Sequence, residues 1–312
     1  MKLLVTGVAG FIGSKIAEEA LREGHQVIGV DDLSQGQLEN IPAKAQFIQL
    51  DLSQSNNIDQ IPKDIDIILH LAGQSSGEIS FDDPILDLSK NTVSTLNLIR
   101  FGIENRVRKI LYASSMSVYG HVDDKPISEH EDCHPLSCYG AGKLASENYL
   151  KIYQHELPFV AFRMFNVYGP GQDLSNLRQG MVSIYLSYAL KNHTIPIKGS
   201  LTRFRDFIYI DDVVKVWMQA IHSSAVTNRI LNLGTGEKTT VQNLMDQLKE
   251  IIPNLSWTEN ENTPGDQFGV YADISSLKNL LGFSNFTPLS TGLRSFAEWA
   301  QKRIQKKVLQ KG

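Results

Sequence analysis

The sequence predicts an α/β fold: a doubly wound parallel sheet with a smaller, interwoven C-terminal α/β domain. Three observations carry that expectation. Short runs that are apolar at every position alternate with segments of helical period through the first half of the chain. Strands buried on both faces read as unbroken apolar runs, so the sheet should be parallel with helices on both sides. A glycine-rich turn stands between the first run and the first helical segment, and right-handed crossovers then give a doubly wound sheet.

Leu3-Leu4-Val5-Thr6 is the first strand. Phe11, Ile12, Ile16, Ala20 and Leu21 recur at helical spacing until Gly24 stops the helix. Strands follow at Val27–Val30, Phe47–Leu50, Ile65–Leu71, Lys109–Ala113 and Phe159–Phe165. Gly169-Pro170-Gly171 marks a loop, and the rhythm changes after it. Phe207–Ile210 reads as a strand, with Asp211 or Asp212 capping a helix to Ile221. Ile230–Leu233 is a further strand, and Thr239-x-x-Gln242 is a capping box opening a helix to about Ile252. Leu293, Phe296, Ala297, Ala300 and Ile304 form the apolar stripe of a last helix with a solvated basic end. No repeat or low-complexity linker separates two beads. The expected division is 1–166, with returns from about 204–233, and 167–312.

Composition narrows the function classes. The chain has 312 residues, 42% hydrophobic and 21% charged, enough for a large core without staples. Thirty basic residues against 34 acidic ones leave a net charge of −4, which offers no excess to neutralise a nucleic-acid backbone. Cys133 and Cys138 make no disulfide framework, and no apolar run approaches a membrane span. The N-terminal run is broken by Gly7, Gly10 and Gly13 and is read as mature structure, so a cytoplasmic location is expected.

Gly7-x-x-Gly10-x-x-Gly13, between strand and helix, is placed as a dinucleotide (Rossmann) fingerprint. The helix N-terminus offers free N–H groups and a positive dipole end to phosphates. Asp31, ending the second strand, would accept from a ribose 2′-OH and repel a 2′-phosphate, which selects NAD over NADP. Asp32 competes for the role, although a turn cap suits Asp32 better. Tyr139 and Lys143 lie one helical turn apart, where an ammonium would stabilise a phenolate and make Tyr139 a general acid/base. Ser115 lies at a strand C-terminus, where its hydroxyl would hold a substrate oxygen beside Tyr139. A serine-rich turn and a common helical pair are the bland readings of these two motifs.

Together these motifs identify the chain as resembling the extended short-chain dehydrogenase/reductase family. His70-Leu71-Ala72-Gly73, Arg163–Pro170, Arg205–Val213, Asn232–Gly236 and Pro264-Gly265-Asp266 extend the match over essentially the whole chain. Within the family it looks most like nucleotide-sugar 4-epimerases of the UDP-galactose and UDP-N-acetylhexosamine type. The resemblance implies that Gly7, Gly10, Phe11, Ile12, Gly13, Asp31, Asp51, Leu52, Leu71, Ala72 and Asn91 line an NAD site. Lys143 would hold the nicotinamide ribose, Ser115 the sugar 4-oxygen, and Tyr139 would move its proton. Asn166 and Arg205 would contact the diphosphate, a role a guanidinium fork suits; a surface salt bridge with Asp206 or Asp211 is the alternative for Arg205. Val270 would leave room for an N-acetyl group beside the sugar. The 84–104 and 139–154 helices would pair across a two-fold axis into a homodimer.

Two differences within the family bear on activity. Sugar 4,6-dehydratases carry an acidic pair where Met116 and Ser117 stand here, and decarboxylases carry a Glu at the Ser117 position. Met and Ser supply neither chemistry. Thr263 replaces the Arg of a frequent Arg-x-Gly-Asp pattern, and Arg203 is the candidate to compensate. The expected activity is therefore inversion of C4 of a nucleotide-diphosphate sugar through a transient 4-keto intermediate. The alternative is a 4-keto nucleotide-sugar reductase that releases its nicotinamide cofactor each turnover. A non-catalytic NAD-binding regulator would not need Ser115, Tyr139 and Lys143 together. The 130–138 segment holds two His, two Cys and two acids, but its spacing matches no zinc pattern, and no metal is expected. His70, in an apolar strand, is read as a satisfied core histidine.

Overall fold

The structure, a computed structural model, describes residues 1–260 and 267–309. The first half alternates strand and helix: β1 (Lys2–Thr6), α1 (Phe11–Arg22), β2 (Gln26–Asp31), β3 (Gln46–Gln49), β4 (Ile67–His70), α2 (Pro84–Leu88), α3 (Ser94–Glu104), β5 (Lys109–Ser115), α4 (Cys138–Ile152) and β6 (Phe159–Met164). The second half contains β7 (Asn166–Tyr168), α5 (Met181–Asn192), β8 (Thr194–Lys198), β9 (Phe204–Arg205), β10 (Phe207–Tyr209), α6 (Ile210–His222), β11 (Arg229–Leu233), β12 (Thr239–Thr240), α7 (Val241–Ile251), β13 (Ser256–Asn260), α8 (Ser275–Leu281) and α9 (Leu289–Leu309).

Seven strands form one parallel sheet in the order β11-β6-β5-β4-β1-β2-β3. The chain winds outward from β1 in both directions, so ligands belong at the strand C-termini. The apolar runs are unbroken for a visible reason. Leu3 and Val5 of β1 enter one core with Ile16 of α1 and Trp217 of α6, while Leu4 enters the other with Leu98 of α3 and Leu150 of α4. Ile67 and Leu69 against Ile68, and Leu111 against Ile110 and Tyr112, divide in the same way. Three two-stranded sheets, β10–β7, β12–β9 and β13–β8, make up the rest. No helix among the described residues is long and apolar enough to cross a membrane.

Three local expectations need correction. Ile210 begins α6 rather than ending a strand; Tyr209 is its N-cap residue, and Asp211 and Asp212 lie in its first turn. Acidic groups are favourable there against the helix dipole without capping it. Thr240, not Thr239, caps α7 by accepting the Asn243 N–H at 3.0 Å, because Thr239 is held in β12 opposite Arg205. The stripe of α9 is buried through Ala300, but Ile304 is 36% exposed. The 84–104 helix also carries a π-turn at Ser89–Val93, a feature frequent at functional sites.

Candidate active site

At one end of the site, main chain does the shaping. Gly7 takes φ +71°, and its amide donates to the Val30 carbonyl at 2.8 Å. A Cβ at Gly13 would lie 2.1 Å from the Gly7 carbonyl, so only glycine lets α1 start against this turn. The first amides of α1, on Phe11, Ile12 and Gly13, have no helical acceptor. Beyond its own segment, a Cβ at Gly10 would meet only the Gly7 carbonyl, at 3.2 Å, leaving open backbone for a phosphate. Asp31 ties β2 to this turn by accepting the Ala9 N–H at 3.0 Å and the Leu33 N–H at 2.9 Å. Burial pushes its carboxyl up, and a donating ribose hydroxyl would offset that penalty.

Asp32 has different partners. It accepts the Ser34 N–H at 2.8 Å and pairs with Lys90 at 2.7 Å, and Lys90 also reaches Asp51 at 2.8 Å. Lys90 thereby clasps the ends of β2 and β3. Leu52 is buried beside Asp51. The amides of Leu71 and Ala72 both donate to the Thr6 hydroxyl at 3.1 Å, joining the ends of β4 and β1.

Ser115, Tyr139 and Lys143 come together at the end of β5. Ser137 caps α4 by accepting the Gly140 N–H at 3.1 Å. A Cβ at Gly140 would lie 2.4 Å from the Ser117 carbonyl, so glycine lets α4 close on the 116–118 turn. The Tyr139 hydroxyl is thereby brought near enough to the Ser115 side chain for Ser115 to favour its phenolate. Ser115 also accepts the Ser117 N–H and donates to the Ser117 hydroxyl, each at 3.2 Å. Lys143 is 4% exposed and donates to the Ala113 carbonyl at 2.9 Å. Its Nζ lies 5.0 Å from the Tyr112 ring centre and 5.6 Å from that of Tyr139.

Burial governs the charges. It pushes the Tyr139 hydroxyl up to about 12, with Ser115 opposing the rise and Asp87 adding to it. Lys143 is drawn down to about 8 by the same desolvation. Burial thus outweighs what favours the phenolate here, and the nicotinamide cation expected alongside Lys143 would oppose it further. Asn91 is 1% exposed and its Oδ1 is buried without a hydrogen-bond partner, facing the Gly73 turn near Lys143. An orphaned acceptor beside an ammonium with donors to spare fits a ribose hydroxyl, as an NAD site requires.

Farther out, Asn166 donates to the Asp206 carbonyl at 3.1 Å and to Met116 Sδ at 3.5 Å. Arg205 is 2% exposed and donates to the carbonyls of Phe204 (2.7 Å), Gln267 (2.7 Å) and Phe268 (3.2 Å). The Asp206 carboxylate accepts from Thr235, Gly236 and Ala272. Arg203 is buried and donates to the Lys198 carbonyl. Val270 sits fully buried in the larger core. Thr263 and the Pro264-Gly265-Asp266 segment lie outside the described residues. His70 is a satisfied core histidine: it meets Thr6 Oγ1 at 2.8 Å and Thr95 Oγ1 at 3.0 Å, and burial drives it down to about 3, hence neutral. Among the described residues, metal-ligating atoms gather at Glu23, His25 and His222, far along the chain from the 130–138 segment.

A family model described as the NAD dependent epimerase/dehydratase family matches residues 3–234. The chain belongs to the NAD-dependent epimerase/dehydratase family. NAD is its cofactor. This epimerase/dehydratase-family chain is 33% identical to a UDP-glucose 4-epimerase of Mycolicibacterium smegmatis over 317 residues, covering 98% of this chain and 100% of that one. A crystal structure of UDP-glucose 4-epimerase with UDP-glucose from Thermotoga maritima matches with a TM-score of 0.93 at 32% identity, covering 97% of this chain and 100% of that one. A UDP-N-acetylglucosamine 4-epimerase from Methanobrevibacter ruminantium M1, in complex with UDP-N-acetylmuramic acid, matches with a TM-score of 0.90 at 29% identity, covering 97% and 98%.

Sequence reasoning passed over three residues here: Glu147, Lys90 and Asp87. Glu147 is fully buried and holds Arg163 of β6 with two contacts, 3.0 and 2.8 Å, while accepting from Ser114 of β5. Its signal was available, since Tyr139, Lys143 and Glu147 follow at i, i+4 and i+8 on one helix face. Lys90 and Asp87 gave none, because a π-turn and long-range contacts place them.

Proposed function

We propose that this family member inverts C4 of a nucleotide-diphosphate sugar through a transient 4-keto intermediate. The observation that carries it is the convergence of Tyr139 and Lys143 on the end of β5 beside Ser115, with Met116 and Ser117 rather than an acidic pair following it. NAD supplies a hydride acceptor that returns what it takes, and a nicotinamide cation. Ser115 orients the 4-oxygen in both sugar poses. Tyr139 takes the proton of the 4-OH and later gives it back. Lys143 adds positive charge beneath the phenol and holds a ribose hydroxyl. Gly7, Gly10, Phe11, Ile12, Gly13, Asp31, Asp32, Asp51, Leu52, Leu71, Ala72 and Asn91 serve NAD; Asn166 and Arg205 serve the diphosphate. Residues 1–166 with the 204–233 return thus bind NAD, and 167–312 mainly the sugar nucleotide.

The names of both structural relatives support a UDP-sugar. Val270, in place of a bulkier residue, supports acceptance of N-acetylhexosamines; Val270→Tyr should depress that substrate selectively, and equal loss on both overturns the assignment. Exposed Ile85 (72%), Leu86 (49%) and Leu88 (46%) of α2, with Ile152 (65%) of α4, support a homodimer through these adjacent helices. A monomer mass by light scattering would sink it. The net charge of −4 supports a partner other than nucleic acid, and two cysteines, too few for a disulfide framework, support a reducing, cytoplasmic setting. The deciding experiment incubates UDP-, dTDP-, GDP- and CDP-hexoses without reductant and follows C4 configuration by NMR. Inversion is expected; conversion only with stoichiometric NADH gives the reductase reading instead.

A further inference from the structure

Behind Lys143 lies a carboxylate to which the proposed chemistry gives no part. Asp87 of α2 is 1% exposed. Its Oδ1 accepts from Gln74 Nε2 at 2.9 Å and from Asn91 Nδ2 at 3.1 Å. Its Oδ2 is buried with no hydrogen-bond partner. That oxygen faces α4 at the turn between Tyr139 and Lys143: a Cβ on Gly142 would lie 3.6 Å from it. An unsatisfied buried oxygen forfeits its hydration with nothing in return, and more so when charged, so its retention beside a reacting pair calls for a reason.

We propose that Asp87 is a positioning residue, whose carboxylate keeps the buried Lys143 ammonium charged and aimed at the cofactor ribose and Tyr139. The inference rests on the roles given above to Tyr139 and Lys143. The groups facing this pair are few. His70 on β4 is neutral, driven down to about 3 by burial. Tyr112 on β5 is held protonated, far above its ordinary range, and Tyr139 on α4 is pushed up to about 12. Glu147, also on α4, is engaged by Arg163 through both oxygens. Asp87 is the remaining anion among these groups, and unlike Glu147 it keeps an oxygen without a partner.

Desolvation draws Lys143 down to about 8 while Asp87 opposes that fall. Desolvation raises Asp87 to about 6 while Lys143 opposes that rise. Carboxylate and ammonium therefore coexist between about 6 and 8. Removing the negative charge leaves the desolvation of Lys143 less opposed, so its proton leaves at lower pH.

The test is Asp87→Asn, whose carbonyl still accepts from Gln74 and Asn91. In the full chain freed of nucleotide, acylation of the Lys143 amine by acetic anhydride, followed by mass spectrometry across pH, reads its titration directly. The midpoint should fall by about one pH unit in the variant, and Asp87→Glu should restore it. The alkaline limb of turnover should move down with it, giving about tenfold loss at pH 8.5 and little at pH 6. A merely structural role predicts an equal loss at every pH and an unmoved midpoint, which would overturn the proposal. Should Asp87→Asn not fold, wild type still decides: a midpoint near 8 supports the proposal, and one below 7 overturns it. The Lys143 midpoint does not depend on which sugar is converted, so failure of C4 inversion is distinguishable from failure here.

Discussion

The two ends of this site are built by different means. At the NAD end, a turn of Gly7 to Gly13 and the acid Asp31 fall within one strand–helix–strand unit, and recognition is by open backbone and unpaired amides. At the sugar-nucleotide end, Asn166 is fastened to Asp206 across 40 residues and Arg205 to Gln267 across 62. The first end is specified locally, whereas the second exists only when distant segments meet. Damage at the first should therefore be confined to one ligand, and damage to the support of both should spread.

The largest expected effect lies where the ends meet. Tyr139→Phe should lose turnover by about 10²–10⁴-fold, typical of a removed general acid/base, while NAD binds as before. Rate measured beside NAD content checks both halves. Wild-type turnover would dismiss the mechanism, and lost NAD would show that the ends are not separable.

Glu147→Gln tests the shared support. It leaves the Arg163 guanidinium buried without its counter-charge between β5, β6 and α4. Breaking a buried pair by removing one partner costs about 3–5 kcal/mol. Thermal unfolding should fall steeply, with both ligands weakened together. A shift confined to one ligand would place Glu147 in that ligand's site instead.

Legibility followed the same division. The parallel sheet could be read because Leu3, Leu4 and Val5 fill both cores, so their run has no polar gap. The glycine turn, Asp31 and the Tyr139–Lys143 pair could be read because each is closed within a turn or two of chain. Lys90 could not, since the π-turn that carries it has no sequence period of its own, nor could Asp87, whose place is fixed by Gln74 and Asn91 rather than by a motif. Lys143 was read correctly as a neighbour of Tyr139, but how strongly burial opposes the phenolate was not legible, because burial is a property of the packed molecule. Asp211 and Asp212 were misplaced as caps by two and three positions, because element boundaries are the least legible part of a helix.

Gly13→Ala sharpens the local side. The added methyl would press on the Gly7 carbonyl, and overpacking of this kind costs about 1–3 kcal/mol. The turn must open, so NAD affinity should drop by about 5–150-fold while sugar-nucleotide affinity stays near wild type, measured by calorimetry with each ligand. An equal loss for both would mean that the fingerprint turn also shapes the sugar end.

Arg205→Lys gives the smallest effect and the finest test of the distant side. The native guanidinium meets three backbone carbonyls from two segments, a fan of donors that a single ammonium cannot reproduce. Charge is kept, so attraction to a diphosphate persists, but its planar fork and the tie between Phe204 and the 267–268 segment are lost. The loss of one charge-assisted hydrogen bond is about 1.5 kcal/mol, or roughly tenfold in sugar-nucleotide affinity. NAD affinity should not change, because the carbonyls that Arg205 meets, those of Phe204, Gln267 and Phe268, belong to the distant side and not to the glycine turn. If the diphosphate is bound elsewhere, Arg205→Lys will lower the unfolding temperature slightly and leave sugar-nucleotide affinity untouched. That result would reduce Arg205 to a fastener of the distant segments, as Asp206 is for the Thr235–Gly236 turn.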